Sequence, residues 1–437
     1  MIIPYIYIRY VFYTIVFVVL PILALILLKI FQKLTLGKCR SFVCLSGKTA
    51  IVTGGASGIG FETALQLASR GCRVIIADKF SSMRAAKKIT RITNNPNVLH
   101  KYLDLSSLRS VREFAKDINE TEERLDILIN NARAVNVGNE HTEDGLHETM
   151  QINHFGPFLL THLLVDLLKK SAPSRIIFVS SAFAYFSNLS IENLNYPKDH
   201  PLSLFRTGLI YGNSKLCNVI SANGFAKRLE DYGVTCNSLH PGWVNTKIER
   251  NPEEYGGLDG IEQVIFSPLS YIYAKTPREG AQTTLHLAMS ESLENVTGKH
   301  FWDCITFPLP PGARNEKFCQ DIWKESEIFV QLQDSEKLPL INPEVSQVMD
   351  SDKKKDVREK EENKENIEEE LIKDENKGDG AEKEAEITKI RDKDENIDEE
   401  NVEKEDGNIL RFRKINDRKE FLNLNGKQEQ NEAKDRS

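Results

Sequence analysis

The sequence predicts an α/β protein: one doubly wound parallel sheet in a single domain, preceded by an N-terminal transmembrane helix and followed by a disordered, charged C-terminal tail. Three observations predict it. Short β-branched apolar runs alternate with helical stretches through the middle of the chain, the pattern of βαβ units. An uncharged apolar run of 18 residues, 11–28, lies near the N-terminus. Residues 351–437 hold 29 acidic and 21 basic side chains among 87.

Charge arithmetic sets the boundaries. A chain of 437 residues suits about three domains at roughly 150 residues each. The first 350 residues, however, carry 35 acidic and 36 basic groups, so the net charge of −7 is a body at +1 and a tail at −8. The tail has two aromatics, Phe412 and Phe421, and no proline. It offers too little apolar surface to offset its chain entropy. Its basic stretch 411–419 is its candidate contact with a membrane surface or a partner. The expected division is an anchor with a basic flank at 1–40, a folded domain at 44–335 and a low-complexity tail at 336–437. A near-neutral body without a basic stripe argues against nucleic acid as a partner. Seven scattered cysteines argue against a disulfide framework, and zinc-ligand spacing is absent, so no metal site is expected.

At 1.5 Å per residue the 18-residue run reaches about 27 Å, close to the core of a bilayer. It exceeds the apolar segment of a signal peptide, and no small-x-small cleavage site follows. Pro21 lies inside the run, where membrane helices tolerate it. Arg9 precedes the run, whereas Lys29, Lys33, Lys38 and Arg40 follow it. Basic residues stay on the cytoplasmic side, so the body is expected to face the cytosol. On that topology the sequons at Asn119, Asn188 and Asn295 meet no glycosylation machinery.

Residues 50–53 read as a buried strand that enters Gly54-x-x-x-Gly58-x-Gly60, and a helical pattern follows over 61–69, ended by Gly71. Strand, glycine turn and helix is the Rossmann-type arrangement, in which backbone N–H groups at a helix N-terminus approach a pyrophosphate. The next strand, 73–77, ends in Asp78, eighteen residues past Gly60. A carboxylate there accepts bonds from an adenosine ribose and repels the 2′-phosphate of NADP. Lys79 offsets part of that repulsion, and NAD is favoured over NADP. Strands at 98–103 and 125–129 lead to Asp104-Leu105 and Asn130-Asn131-Ala132, and helix is expected over 108–118. Ligands gather at such carboxyl ends.

A further strand, 175–179, ends in Ser180-Ser181, and thirty residues later comes Tyr211-Gly-Asn-Ser-Lys215. Tyr and Lys at i and i+4 share one helical face. A free tyrosine titrates near pH 10. An ammonium within about 5 Å favours its phenolate, which can then take a proton from an alcohol as hydride leaves the carbon.

Residues 53–60 (Thr-Gly-Gly-Ala-Ser-Gly-Ile-Gly), Asn130-Asn131-Ala132, Ser181, Tyr211-x-x-x-Lys215 and His240-Pro241-Gly242 occur in this order. In them the chain resembles the short-chain dehydrogenase/reductase family, over roughly 44–330. Segments 151–162, 275–283 and 298–304 resemble its retinol dehydrogenase branch, whose members are anchored to endoplasmic reticulum or lipid-droplet membranes by an apolar N-terminus. The resemblance implies Tyr211 as general acid/base and Lys215 as the group that holds the nicotinamide ribose. It implies that Ser181 bonds the substrate oxygen and that Asn153 positions a relay water. Gly54, Ser57, Gly58, Ile59 and Gly60 would line the pyrophosphate. Asp78, Lys79, Asp104, Leu105, Asn131 and Ala132 would complete the adenosine side, and Pro241, Gly242 and Thr246 the nicotinamide side.

There are two departures. Arg133 stands where the family has glycine, and three placements are open to it: turned to solvent, on a phosphate, or against the adenosine. Asp78-Lys79 stands where many of the branch carry a small residue and then arginine, so their cofactor preference does not transfer. Between Thr246 and Lys275, where the family covers its substrate, Val264, Phe266, Leu269, Tyr271 and Tyr273 make an apolar segment that either covers the substrate or packs against the sheet. A lipophilic alcohol or carbonyl compound is expected, whether retinoid, sterol or fatty aldehyde. A second copy, forming a homodimer, is an allowed partner. The alternative is a catalytically weakened relative that serves as a cofactor-binding scaffold, with a partner-recruiting tail.

Overall fold

The computed structural model describes residues 2–80, 82–135, 139–198, 203–244 and 274–339, without the side chains of residues 2–6, 8 and 204. Thr246, the apolar residues 264–273 and the charged tail lie outside the described residues. At the N-terminus α1 (Ile2–Thr14) and α2 (Leu20–Leu34) are joined by a five-residue π-turn. The stretch Arg9–Leu34, 26 residues with none of its apolar window buried, is long and apolar enough to cross a membrane.

The sheet begins with β1 (Thr49–Thr53), every residue of which is buried. Helix α3 (Gly58–Ala68) returns to β2 (Arg73–Asp78), and α4 (Ser82–Thr93) to β3 (Val98–Tyr102). Helix α5 (Leu108–Thr121) then leads to β4 (Ile127–Asn130). A single turn α6 (Glu148–Met150) and a π-turn (Gln151–Phe155) open α7 (Gly156–Lys170), followed by β5 (Ser174–Val179), α8 (Leu204–Leu229) and β6 (Val234–His240). Helix α9 (Pro277–Met289), the hairpin β7 (His300–Trp302) and β8 (Ile305–Phe307), and α10 (Glu316–Phe329) complete the domain.

The strand order is β3-β2-β1-β4-β5-β6-β7-β8. All pairings are parallel except that of β8, which turns back against β7. Because both faces are covered by helices, the strands read as continuous apolar runs rather than alternating ones. One face is packed by α5, α7, α8 and α10 through residues such as Phe114, Phe158, Phe225 and Trp323. The other is packed by α3, α4 and α9 through Leu67, Ile89 and Leu285. In α5 the buried set Leu108, Val111, Phe114, Ala115 and Ile118 follows the three-and-four spacing of one helical stripe, and Ser107 caps the first turn from Ser110 N–H. A capping box of Thr276 and Glu279, with Pro277 in the first turn, starts α9. The chain order reverses between β1 and β4, which opens a crevice at their carboxyl ends, where open α/β sheets take their ligands.

Candidate active site

The glycine turn sits in that crevice. Gly54 leaves β1 at φ +62°, and a Cβ on Gly60 would fall 2.2 Å from the Gly54 carbonyl oxygen and 2.6 Å from Asn131 Nδ2. Only glycine lets α3 start so close to β1. The N-cap of α3, Ser57, is extended and makes no side-chain cap. The first amides of the helix therefore have no intrahelical acceptor and point outward at its positive end. Ser57, Gly58, Ile59 and Gly60 form the resulting cradle for an anion.

Asn131 is buried. Its Nδ2 donates to Thr53 O at 2.9 Å and its N–H to Thr53 Oγ1 at 2.9 Å, which binds the end of β4 to β1. Ala132 N–H donates to the same hydroxyl at 3.0 Å. On the adenosine side the Asp78 carboxylate accepts from Ala56 N–H at 3.1 Å and from Phe80 N–H at 3.2 Å, which ties the end of β2 to the glycine turn. Lys79 pairs with Asp104 at 2.6 Å. Burial works against the Asp104 carboxylate, but bonds from Lys79 and Ser106 outweigh it and hold its pKa below the ordinary value. Leu105 is buried and packs in the core beneath this end.

On the other side of the crevice Tyr211 and Lys215 lie one turn apart on α8. Lys215 Nζ stands 5.7 Å from the Tyr211 ring centroid. Lys215 is 1% exposed. Its ammonium donates to Val179 O at 3.1 Å, and no carboxylate pairs with it among the described residues. Burial, assisted by repulsion from Arg133, pushes its pKa down to about 7. Arg133 itself is exposed, so its charge is felt at Lys215 from the solvent side.

Ser180 and Ser181 separate in role. Ser180 Oγ donates to Lys215 O at 2.6 Å and fastens β5 to α8. Ser181 caps the short 3-10 turn Ala182–Phe186, whose Phe183 ring stands edge-on to Tyr211 with centroids 5.7 Å apart. His240 fixes the same turn, its Nδ1 accepting Ala182 N–H at 3.1 Å. Burial, with the charges of Lys275 and His300, keeps that imidazole neutral, its pKa lowered to about 3.

Asn153 lies in the π-turn before α7, wholly buried. It exchanges two 2.7 Å bonds with the backbone of Ala134 and donates to Ser214 Oγ at 3.0 Å. Its side chain thus joins the loop after β4 to α8 beside Lys215. Pro241 and Gly242 follow β6. Gly242 has φ +90°, and the place of its missing Cβ is taken by Lys275 Nζ, 2.6 Å away. Lys275 and its ion-pair partner Asp303 were not singled out in the sequence. The only sequence signal was their membership of two segments, 275–283 and 298–304, that carry the branch resemblance.

These residues fit a nicotinamide dinucleotide. The open amides at the start of α3 would hold a pyrophosphate, Asp78 at the end of β2 would accept from an adenosine ribose, and the buried Lys215, with no carboxylate on it among the described residues, would offer donors to ribose hydroxyls. Proteins of known kind agree. The short chain dehydrogenase family profile matches residues 48–192. Retinol dehydrogenase 11 of Mus musculus is 41% identical over 307 residues, spanning 70% of this chain and 93% of that one. Retinol dehydrogenase 12 of Homo sapiens is 41% identical over 292 residues, 66% and 88% of the two chains. A solved structure of an uncharacterized protein from Mycobacterium paratuberculosis superposes with a TM-score of 0.52 at 26% identity, over 68% of this chain and 98% of that one. Geometry and kinship converge: the chain belongs to the short-chain dehydrogenase family, in its retinol dehydrogenase-like branch, and is an NAD(P)-dependent oxidoreductase of the short-chain type.

Proposed function

We propose that the protein is a membrane-anchored oxidoreductase that interconverts a lipophilic alcohol and its carbonyl compound, a retinoid before a sterol or fatty aldehyde, with NAD as the favoured cofactor. The observation that carries this reading is the Tyr211–Lys215 pair, with Lys215 buried and, among the described residues, paired with no carboxylate. A bound nicotinamide dinucleotide supplies the hydride acceptor or donor. Tyr211 takes the proton from the alcohol oxygen in oxidation and returns it in reduction. Lys215, when protonated, sets positive charge beside the Tyr211 ring and offers its remaining N–H groups to ribose hydroxyls. Ser181 donates to the substrate oxygen and stabilises charge developing there. Asn153, which holds the loop after β4 against α8, positions the relay water. Pro241 and Gly242 flank the nicotinamide.

Retinoid specificity draws support from the names of the relatives, and NAD from the Asp78 carboxylate and the engagement of Lys79 with Asp104. The helix Arg9–Leu34 supports the anchor. The basic excess after it supports a domain facing the cytosol, on endoplasmic reticulum or lipid-droplet membranes. The test assays membranes carrying the protein with NAD or NADP and retinoid, sterol and fatty alcohol panels, beside Tyr211→Phe. Loss of roughly 10²- to 10⁴-fold in turnover in the variant is expected. Equal turnover in the variant would remove Tyr211 from the reaction.

A further inference from the structure

The chain between the N-terminal helix and β1 does not hang free. Lys33 pairs with Glu279, the capping-box acid of α9. Cys39 N–H donates to Gln282 Oε1 at 3.1 Å, and Ser41 Oγ donates to Met289 O at 2.9 Å, so residues 35–41 run along α9 as a strap. Midway, Gly37 lies directly on the turn of the β7–β8 hairpin. A Cβ on Gly37 would fall 2.0 Å from Asp303 O and 2.8 Å from Asp303 Cα.

From that turn the contacts lead inward. Asp303 sits at φ +49° and Cys304 at φ +63°, the two central residues of a tight hairpin turn. The Asp303 carboxylate pairs with Lys275. Lys275 is 5% exposed. Its Nζ approaches Pro241 O at 3.4 Å and occupies the place of the missing Gly242 Cβ. Its backbone N–H donates to Trp243 O at 2.7 Å. A buried ammonium held by one carboxylate is fixed only as well as that carboxylate is.

We propose that the strap is a positioning element of the cofactor site: by clamping the Asp303 turn it sets Lys275, and Lys275 sets the Pro241 and Gly242 backbone on the nicotinamide side. Asp303, Lys275 and Gly37 are then positioning residues, and the membrane segment is mechanically continuous with the active site. The inference rests on the cofactor reading given above.

Full-length protein in detergent or vesicles is titrated with NADH, read by energy transfer from tryptophan, of which Trp243 lies next to Gly242. Gly37→Val and Asp303→Asn are each expected to weaken NADH binding about tenfold, a coupling of ordinary size. KM for the cofactor should rise more than kcat falls, and Asp303→Glu should recover part of the loss. Backbone hydrogen exchange should rise at residues 241–244 and 274–275 while β1 and β4 stay protected. If Gly37→Val fails to fold, Asp303→Asn decides. Wild-type affinity in Asp303→Asn, or in a folded Gly37→Val, overturns the inference and leaves the proposed function standing. A wild-type protein that binds neither NADH nor NADPH overturns both.

Discussion

Lys215→Met should make the cofactor-free protein more stable while abolishing its turnover. Lys215 has an ordinary pKa of 10.5 when unfolded and about 7 when folded, lowered by burial and then by Arg133. Between those values the unfolded chain binds a proton that the folded chain does not, so stability rises with pH across that window. The penalty is fully present below pH 7 and fades as pH climbs toward 10.5. At pH 7 it is worth about 4 kcal/mol. Methionine fills nearly the same volume without charge, and it gives up the bond to Val179 O, worth about 1 kcal/mol. Asn218 Nδ2 still donates to that carbonyl at 3.3 Å, so no buried acceptor is orphaned. The expected gain is about 3 kcal/mol at pH 7, falling to about 1 kcal/mol at pH 9. Urea unfolding in detergent, followed by tryptophan fluorescence at both pH values, measures it. A variant less stable than the native protein at pH 7, or a difference unchanged between pH 7 and 9, would refute the reasoning.

The same charge balance predicts the effect of Arg133. Arg133→Gly removes the repulsion on Lys215, so the Lys215 pKa rises above about 7. Protonated Lys215 then persists to higher pH, and the alkaline limb of NADH binding shifts upward; an unmoved or downward-shifted limb contradicts this. Asp78→Ser should weaken NADH binding roughly tenfold and strengthen NADPH binding, by loss of ribose acceptors and of repulsion toward a 2′-phosphate. Tighter binding of NADPH than NADH by the native chain would remove the basis for the NAD preference.

What the sequence made legible follows from how local each signal is. The glycine turn, Asp78 and the Tyr-x-x-x-Lys spacing are read within one or two elements, and all stand where the strand-turn-helix reading puts them. Element ends moved by one to three residues: β4 is Ile127–Asn130 against 125–129, and α5 runs to Thr121 rather than 118. Helix α3 begins at Gly58, three residues earlier than the apolar pattern suggests, because glycines carry no periodicity to read. Ser180 and Ser181 are told apart in the sequence only by the family resemblance; in the structure Ser180 is spent on its bond to Lys215 O. Lys275 and Asp303 lie 28 residues apart and meet where Lys275 bridges Val244 just past β6 and Asp303 turns between β7 and β8. No local rule points to them. Arg133 had three open placements, and only the fold shows it exposed with its charge felt at Lys215.

On the membrane proposed above, the antiparallel return of β8 bears on how copies crowd together. Confinement to two dimensions raises the local concentration of neighbouring copies, and an open sheet margin invites strand exchange between them. Here the margin is three residues long, all exposed, and the chain beyond it reads Pro308-Leu309-Pro310-Pro311. Prolines supply no N–H for a further ladder. Tyr185 also takes up Pro308 O with its hydroxyl. The β8 margin, one of the sheet's two, therefore ends in a stop, and crowded copies cannot extend the sheet from that side.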